Sequence, residues 1–579
     1  MEELISQKHI VWLFFSSLFL SIVLTPRTRA LAVLLGAVDT PDPRKVHGRA
    51  IPRLGGLGIA VSVVLFLYLF GKPGMSLNGF LIGAILTALV GFLDDVFHFR
   101  PLYKFFGQIV AAAAFVFLGD CYIQSLGDIA AIGEIRLEAH APWFTVFCMV
   151  GVMNALNLSD GLDGLAGGIS AIACFFLGLF SILQGDSLSL SITVCLLGSL
   201  FGFLRYNSFP AKLFMGDTGS MLLGYSLAAV AVRLAEFGGA VRFSPMTFAT
   251  VLALPILDTL LVMGRRALRC ENPFLPDKTH LHHQLLDLGL SHAAVVPILY
   301  GLMTVFGVVA WGMRDFPEWM QFASVVALGA FVYGALPLFG RIGPRIAVSL
   351  KDGTLYRGTS SPIRKHHGLA RSVPLVSWLI GIGLCVPALL SAQVRGKAGL
   401  VSFSMATFIF FLFPWQGRRR HAALCHGVLY ASCVCLVGIL HLGNGAASWV
   451  VYYMVVFSIA TLAWALLMTK SRPLYGKLLV PSGFETLLIV LCLLIPLIVV
   501  PALGLAGSMR KTILLSCFES MPFLLAFKII VRRKPVRNQV FAIAFLVTFL
   551  LLGIHGTLSA DNVWGSSPVP AETKAPGCP

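Results

Sequence analysis

The chain has 579 residues, of which 57% are hydrophobic and only 12% are charged. Repeated apolar runs of about 20 residues, the length that crosses a bilayer, exclude an ordinary soluble protein. The 43 basic residues outnumber the 26 acidic ones, for a formal net charge of +17. In a membrane protein, such an excess of basic residues usually marks cytoplasmic loops and the binding of anionic lipid or substrate. Nucleic acid is therefore not expected as a partner.

The first apolar run, 11–24, is expected to be a retained helix rather than a cleaved signal peptide. Glu2 and Glu3 precede it, and Arg27 and Arg29 follow it. This charge order is the reverse of that in a signal peptide. The amino end is therefore predicted to lie outside the cytoplasm.

Residues 1–345 carry about eleven apolar runs, each near the length that a bilayer requires. These predicted spans lie near 9–25, 56–71, 78–97, 105–119, 142–157, 165–183, 189–205, 216–235, 246–263, 296–313 and 319–339. With the amino end outside, the cytoplasmic connections contain most of the basic residues, whereas the short connections outside contain few. The positive-inside rule therefore supports this orientation.

A polar linker is predicted at 346–372, and a second membrane module of unknown function at 373–579. The second module has about seven further apolar runs and a short tail outside the membrane. Those runs lie near 373–393, 399–415, 422–442, 447–468, 479–503, 512–531 and 539–557. The predicted fold class is an all-α polytopic membrane protein, with about eleven transmembrane helices in the first module and about seven in the second.

Polar residues of the first module gather at the cytoplasmic ends of its predicted spans. Polar residues that do not belong to one site would be distributed over both membrane faces. Their concentration on the cytoplasmic face therefore predicts a functional site. The residues that gather there are Asp94, Asp95, Asn154, Asn157, Asp160, Asp163, Asn207, Asp217, Asp258, Arg265, Arg266, His280, His282 and His283.

The residue types at this face indicate binding of a divalent cation and of phosphate groups. Carboxylate and amide oxygens are hard ligands suited to Mg²⁺, with Mn²⁺ as the alternative, and Mg²⁺ commonly takes substrate phosphates into its shell. Lys45, Arg265 and Arg266 supply positive charge for such phosphates. Together they predict phosphoryl transfer at the membrane surface, between a cytosolic nucleotide and a lipid.

Five ordered motifs carry a resemblance to a known family. They are Asp39-Thr-Pro-Asp-Pro-Arg-Lys-Val-His47 with Pro52-Arg-Leu-Gly-Gly56, Asp94-Asp95, the stretch 154–168, Phe214-Met-Gly-Asp-Thr-Gly-Ser220, and Pro276-Asp-Lys-Thr-His-Leu-His-His283. Over residues 1–345 the chain closely resembles the polyprenyl-phosphate N-acetylhexosamine-1-phosphate transferases of glycosyltransferase family 4. The first loop and the His-x-His-His loop look like those of the bacterial undecaprenyl-phosphate GlcNAc-1-phosphate transferases. The phospho-MurNAc-pentapeptide transferases, which carry a different first loop, are the alternative.

The resemblance implies an activity and a location. N-acetylhexosamine 1-phosphate, with GlcNAc 1-phosphate as the first choice, would pass from a UDP-N-acetylhexosamine to undecaprenyl phosphate and release UMP. This would be the first membrane step of a cell-envelope polysaccharide. The implied location is the bacterial cytoplasmic (inner) membrane, with the protein among membrane lipid and its site on the cytoplasmic face; a homodimer is left open.

The resemblance also implies catalytic residues, namely Asp94, Asp95, Asp160, His282 and His283. Asp94 and its neighbour are expected either to deprotonate the acceptor phosphate or only to position it. Asp160 is expected to support the nucleotide or the metal. The histidines are expected to contact the diphosphate, since no cysteine or fourth ligand accompanies them at zinc-site spacing.

The metal ligands are predicted to be Asp217 and, second, Asn157. The predicted substrate-binding residues are Lys45, Asn154, Asp163, Asn207, Phe214, Arg265, Arg266 and His280. Among these, Asp163 is expected to contact the uracil and Phe214 to stack on it. Asp160 and Asp163 would share a face if helix continued through their loop, and His292 is expected to be an ordinary surface residue.

Two further classes of protein were weighed against the transferase. A proton-coupled carrier also has many spans and buried acids, but its acids would lie near the middle of helices rather than beside glycine-rich loops at their ends. A CDP-alcohol phosphotransferase requires Asp-Gly-x-x-Ala-Arg, and Asp160-Gly-Leu-Asp-Gly lacks the Ala-Arg pair.

Overall fold

The computed structural model describes residues 2–39, 50–239, 241–270 and 279–351, and the positions 486, 487, 490, 494 and 498. Lys45, most of the predicted linker and almost all of the predicted second module lie outside the described residues.

The described part of the chain is a helical bundle with a short two-stranded ribbon. The helices are α1 (Glu2–Leu34), α2 (Gly55–Phe70), α3 (Met75–Phe97), α4 (Pro101–Ala113), α5 (Ala141–Leu158), α6 (Leu165–Gln184), α7 (Ser187–Asn207), α8 (Gly216–Glu236), α9 (Pro245–Val251), α10 (Ala253–Leu268), α11 (Leu281–Asp287), α12 (His292–Met313) and α13 (Glu318–Lys351). A π-helical turn (Ala114–Leu118) extends α4, and a 3₁₀ turn (Glu138–His140) precedes α5. β1 (Val38–Asp39) pairs antiparallel with β2 (Ile51–Pro52).

Within the described residues, nine helices are long and apolar enough to cross a membrane. The 16-residue α2 is shorter, and α9 with α10 would supply one more span if the two are counted together. Each predicted apolar run of the first module lies on a helix or on this helix pair. The architecture is therefore that of a polytopic α-helical membrane protein.

The predicted single span at 246–263 is divided in the structure. α9 ends at Val251, α10 begins at Ala253, and the two helices are bent by 80°. Pro255 has no backbone N–H to donate to the carbonyl of Val251, so the helical hydrogen-bond ladder is interrupted here. The chain consequently changes direction before it reaches Arg265 and Arg266 at the end of α10.

Helices α6 and α8 form the inside of the bundle. The most apolar stretches of α6 and α8 are 89% and 83% buried, compared with 22% for α13. A helix that is apolar around its whole circumference, as α6 is, belongs in such an interior. Since α8 packs against α2, α3 and α5, its first turn is surrounded by the ends of other helices.

Glycines allow α8 to approach its neighbours closely. A Cβ atom at Gly56 of α2 would overlap the backbone of Gly219 in α8. A Cβ atom at Gly224 would lie 2.5 Å from the Cα atom of Met153 in α5. Small residues at these contacts set the distance between helices in the membrane, and thereby the spacing of the helix ends.

The contact between α8 and α5 can be tested by adding one methyl group. Gly224→Ala is expected to destabilise the protein by about 1–3 kcal/mol, because the atom it meets belongs to backbone and cannot swing aside. Gly151→Ala in α5 is the matched control, since a Cβ there meets nothing within 4 Å. Thermal unfolding in detergent should show a lower melting temperature for the first variant only; equal melting temperatures would contradict the packing.

Candidate active site

Acidic and amide side chains from separate helices meet at one end of the bundle. Asp94 and Asp95 lie in the last turn of α3, Asn157 in the last turn of α5, and Asp217 in the first turn of α8. Lys104 of α4 joins them through contacts to two of these carboxylates. The structure thus brings together residues that the sequence places in separate motifs.

Asp95 holds the beginning of α8. Its carboxylate accepts hydrogen bonds from the backbone N–H groups of Asp217 at 2.9 Å and Thr218 at 3.0 Å, and from the Thr218 hydroxyl at 2.6 Å. The first N–H groups of a helix have no partner within the helix, and a carboxylate there also interacts favourably with the helix dipole. Asp95 is fully buried, and these bonds make its carboxylate a cap that positions the turn carrying Asp217.

A glycine is required beside this contact. Gly216 has a φ of +72°, a conformation that side chains disfavour. A Cβ atom at Gly216 would also overlap the carbonyl oxygen of Arg53 and lie 2.5 Å from Asp95 Oδ2. The glycine therefore allows the carboxylate of α3 to reach the start of α8.

The Lys104 ammonium lies among oxygens of the predicted metal site. Its Nζ atom is 2.8 Å from Asp217 Oδ1, 3.3 Å from Asn157 Oδ1 and 3.6 Å from Asp94 Oδ2. Asn157 also donates through Nδ2 to Asp217 and, at 2.8 Å, to the Ser220 hydroxyl. A positive charge is thus held at the point where the sequence predicts a cation.

Asn154, predicted to bind substrate, lies nearly one turn before Asn157 on α5, and its side chain is hydrogen-bonded there. Its Nδ2 donates to Gln108 Oε1 at 2.8 Å and to the Val150 carbonyl at 2.8 Å. Gln108, fully buried, donates back to Asn154 Oδ1 at 3.4 Å. These bonds tie α4 to α5 and so fix the helix that carries Lys104.

Residues 159–164 form turns, not a continuation of α5, so the expected shared helical face of Asp160 and Asp163 is absent from the structure. Asp163 Oδ2 accepts from the Ala211 N–H at 2.8 Å, and its own N–H donates to His292 Nε2 at 3.1 Å. The expectation of an ordinary surface residue at His292 is wrong, because its ring also stacks on Phe209 with centroids 4.5 Å apart.

Asn207 anchors the end of the same loop. Its Oδ1 accepts from the Gly164 N–H at 2.9 Å, and its Nδ2 donates to the Leu213 carbonyl at 3.0 Å. The buried Tyr300 hydroxyl donates to the Gly164 carbonyl at 2.6 Å. Asn207 is 2% exposed, so its polar atoms shape the loop that is predicted to hold the nucleotide.

The electrostatic surroundings of Asp160 favour a nearby cation. Burial raises the pKa of the Asp160 carboxyl to about 7, and the negative charges of Asp217 and Asp95 add to the increase. An ionised carboxylate in such a setting gains stability from a neighbouring positive charge. This is compatible with its predicted role beside the nucleotide or the metal.

The predicted histidines lie next to the glycine-rich loop. His282 is 3% exposed, and a Cβ atom at Gly161 would overlap its Nε2 atom. Burial, together with the positive charge that His283 can carry, lowers the pKa of His282 to about 3. His282 is therefore neutral near pH 7, and His283 packs against it with ring centroids 4.3 Å apart.

His280 contacts Asp258, an acid for which the sequence predicts no specific role. Its Nδ1 lies 2.9 Å from Asp258 Oδ2, and both side chains are buried. The guanidinium carbon of Arg265 lies 5.7 Å from the ring centroid of Tyr333. Arg266, the other predicted arginine, is half-buried.

Phe214, the predicted stacking residue, is fixed through its backbone. Its N–H donates to the Pro52 carbonyl at 2.8 Å, and its carbonyl accepts from the Gly55 N–H at 2.9 Å. These bonds connect the loop before α8 to β2 and α2. They place the phenyl ring, which is partly exposed, near the start of α8.

Lys104, Gln108 and Tyr333 are the residues of this site that sequence reasoning missed. Lys104 lies four residues before the polar Gln108 on a helix that is otherwise apolar. That spacing places both on one face and was a usable signal. The sequence gives no such signal for Tyr333, because a tyrosine in an apolar helix is common.

The chain is similar to known glycosyl transferases and sugar-phosphate transferases. The family model described as "Glycosyl transferase family 4" matches residues 77–235. A Bacillus subtilis (strain 168) protein named "Probable undecaprenyl-phosphate N-acetylglucosaminyl 1-phosphate transferase" is 34% identical over 325 residues, which cover 56% of this chain and 90% of the relative. A "Decaprenyl-phosphate N-acetylglucosaminephosphotransferase" of Mycolicibacterium smegmatis is 36% identical over 55% of this chain and 85% of the relative. An Escherichia coli (strain K12) "Undecaprenyl-phosphate alpha-N-acetylglucosaminyl 1-phosphate transferase" is 28% identical over 53% of this chain and 85% of the relative.

The role of Asp95 predicts a difference in stability between two adjacent acids. Asp95→Asn would turn an amide N–H toward donors that need an acceptor, so it should cost about 1–3 kcal/mol. Asp94→Asn is the matched control, because Asp94 Oδ1 accepts the Phe99 N–H at 2.9 Å and an amide oxygen can still do so. Thermal unfolding of both variants measures the difference; an equal loss would contradict the capping role.

The burial of neutral His282 predicts a pH effect on stability. The unfolded chain binds a proton at this residue below about pH 6.5 while the folded protein does not, so stability falls as the pH decreases from there toward the folded-state pKa. His282→Gln should therefore lose less melting temperature than the wild type between about pH 7.5 and about pH 5.5. An identical loss in both proteins would show that His282 does not contribute to this acid sensitivity.

Proposed function

The chain belongs to glycosyl transferase family 4, and from this premise we propose that it transfers N-acetylglucosamine 1-phosphate from UDP-GlcNAc to a long-chain polyprenyl phosphate. The products are polyprenyl-diphosphate GlcNAc and UMP. The named relatives act on undecaprenyl or decaprenyl phosphate, and undecaprenyl phosphate is the proposed acceptor here. Their names do not favour the alternative substrate, phospho-MurNAc-pentapeptide.

One observation carries the proposal: the Lys104 ammonium is surrounded by oxygens of Asp217, Asn157 and Asp94. Carboxylate and amide oxygens are hard donors, so the residues that surround this ammonium are of the kind that binds Mg²⁺. No cluster of three or more His, Cys, Asp or Glu side chains forms a metal site within the part of the chain that the structure describes. A carboxylate and an amide suffice for Mg²⁺, however, because substrate phosphates and waters complete its shell.

The proposed reaction is a displacement at phosphorus. An oxygen of the polyprenyl phosphate forms a bond to the sugar-linked phosphorus of UDP-GlcNAc, and the bond from that phosphorus to the UMP oxygen breaks, with its electron pair leaving on UMP. Both reactants are anions, so the barrier is largely electrostatic. Mg²⁺ held by Asp217 and Asn157, when bound, would neutralise charge on the diphosphate.

The chain's own residues would position the two anions. Asp95 fixes the start of α8 and hence the direction of Asp217. Lys104 can release Asp217 to a metal ion and turn its ammonium to a phosphate oxygen. Asp94, 3.6 Å from that ammonium, would position the acceptor phosphate or take its proton.

The nucleotide would bind on the side of the 159–164 loop. The side chains of Asp163 and Asn207 accept backbone hydrogen bonds that shape this loop. Phe214 is fixed nearby. His282 of α11 meets the same loop at Gly161, which would bring the diphosphate between the histidines and the acids. Arg265 or Arg266 would contact the sugar or a phosphate.

The proposed setting is the cytoplasmic (inner) membrane of a bacterium, with this site on the cytoplasmic face. The positive-inside bias of the sequence and the need for a cytosolic nucleotide support that orientation. The reaction would start a cell-envelope polysaccharide on its lipid carrier.

The purified full-length protein tests this function. It is incubated with Mg²⁺, radiolabelled UDP-sugars and either undecaprenyl or decaprenyl phosphate, and label is followed into the organic phase along with UMP release. We expect product from UDP-GlcNAc, none with EDTA, and a loss of about a hundredfold or more in Asp217→Asn. Asp128→Asn, an acid in the loop between α4 and α5, is the control and should remain active. Product from no UDP-N-acetylhexosamine would refute the function.

A further inference from the structure

Asp258 of α10 is a buried carboxylate at which separate elements meet. Its Oδ1 accepts the Leu281 N–H at 2.8 Å and the Tyr333 hydroxyl at 2.7 Å, and its Oδ2 lies 2.9 Å from His280 Nδ1. Asp258 is 6% exposed and His280 is 5% exposed. The contacts join α10, the His-x-His-His segment and α13, which are far apart in sequence.

These contacts select one arrangement of the His280 ring. A carboxylate facing Nδ1 accepts a hydrogen from it, so Nδ1 carries the proton in both the neutral and the charged imidazole. Nε2 is then the nitrogen that remains for another partner. The hydrogen bond at one ring nitrogen thus sets the tautomer, and with it the partners that the other nitrogen can bind, as in histidines that bind metals.

Tyr333 connects this acid to an arginine of the site. Its hydroxyl donates to Asp258, while its ring lies beneath the guanidinium group of Arg265 at 5.7 Å. Cation–π contacts of this kind restrain a long basic side chain. A single residue of α13 therefore contacts both Arg265 and the acid that holds His280, and these two basic residues are proposed to contact the donor substrate.

We propose that Asp258 and Tyr333 are positioning residues that present His280 Nε2 and the Arg265 guanidinium to the diphosphate of the nucleotide sugar. The proposal rests on the transferase function stated above and extends it to residues outside the five motifs. Neither residue touches the reacting atoms. Both act through His280 and Arg265, so their loss weakens use of the donor and leaves use of the lipid acceptor unchanged.

Asp258→Asn is the informative variant. Leu281 and Tyr333 both donate and require the amide oxygen, so the amide NH₂ is left facing His280 Nδ1. The ring must then accept at Nδ1 and carry its hydrogen on Nε2, the opposite tautomer. Since loss of a partner that orients a ligand residue costs about 10–100-fold, we expect kcat/KM for UDP-GlcNAc to fall by that factor, with KM for polyprenyl phosphate unchanged.

Two variants of Tyr333 separate its contacts. Tyr333→Phe removes the hydroxyl but keeps the ring, so it should give a smaller loss of the same kind. Tyr333→Leu also removes the ring and should raise KM for UDP-GlcNAc further. Tyr225→Phe is the matched control, since this buried hydroxyl donates to the Phe80 carbonyl at 3.0 Å within the bundle; it should lower the melting temperature without changing either KM.

A double variant tests whether Asp258 acts through the histidine. On a His280→Gln background, Asp258→Asn should cause no further loss of kcat/KM, because the residue it positions is gone. Full additivity of the two losses would overturn the proposal. So would an Asp258→Asn protein that keeps the wild-type kcat/KM, or one in which both substrates are affected equally.

The ring tautomer can be measured without any substrate. Nitrogen NMR of protein labelled in histidine, with His280→Gln used to assign the signal, should show hydrogen on Nδ1 in the wild type and on Nε2 in Asp258→Asn. Hydrogen on Nε2 in the wild type would refute the inference. This measurement stands even if the wild type turns over no UDP-sugar, an outcome that would refute the proposed function instead.

Discussion

The site depends on the hydrogen bonds that Asp95 accepts from the beginning of α8. A helix that starts inside a bundle of other helices leaves N–H groups that neither its own carbonyls nor water can satisfy. Asp95 reaches them from α3 because Gly216 leaves room for its carboxylate. The result is a rigid connection between two helices, and it fixes where Asp217 points.

A second acid is used in a similar way on the other side of the site. Asp258 accepts the N–H of Leu281 at the start of α11 while it holds His280. In both cases a carboxylate from one helix satisfies the first N–H groups of another and orients the functional residue beside them. Buried polar groups in a membrane are expensive unless they are paired. Here the pairing also orients Asp217 and His280, which are proposed to act on an anionic substrate.

The sequence predicts the long helices of the first module, because each contains a long apolar run, and it predicts which polar residues gather at one end. It failed at 246–263, where hydropathy runs unbroken although Pro255 interrupts the hydrogen-bond ladder. It also could not distinguish roles within the cluster. Asp94 and Asp95 are adjacent and chemically identical, and only the packing of α3 against α8 shows that Asp95 is engaged by backbone. For Asn154, predicted to bind substrate, no sequence pattern indicates the pairing with Gln108 that the structure shows. The role of Tyr333 could not be predicted, because it rests on contacts with Asp258 and Arg265, which are distant in the sequence.

Binding of Mn²⁺ followed by electron paramagnetic resonance tests most directly whether Asp95 aims Asp217 at a cation. The full-length protein without substrate should bind Mn²⁺ in the wild type and in Asp128→Asn, lose that binding in Asp217→Asn, and bind more weakly in Asp95→Asn. Wild-type affinity for Mn²⁺ in Asp217→Asn would contradict the cation site, and wild-type affinity in Asp95→Asn would contradict the role of Asp95 in orienting Asp217.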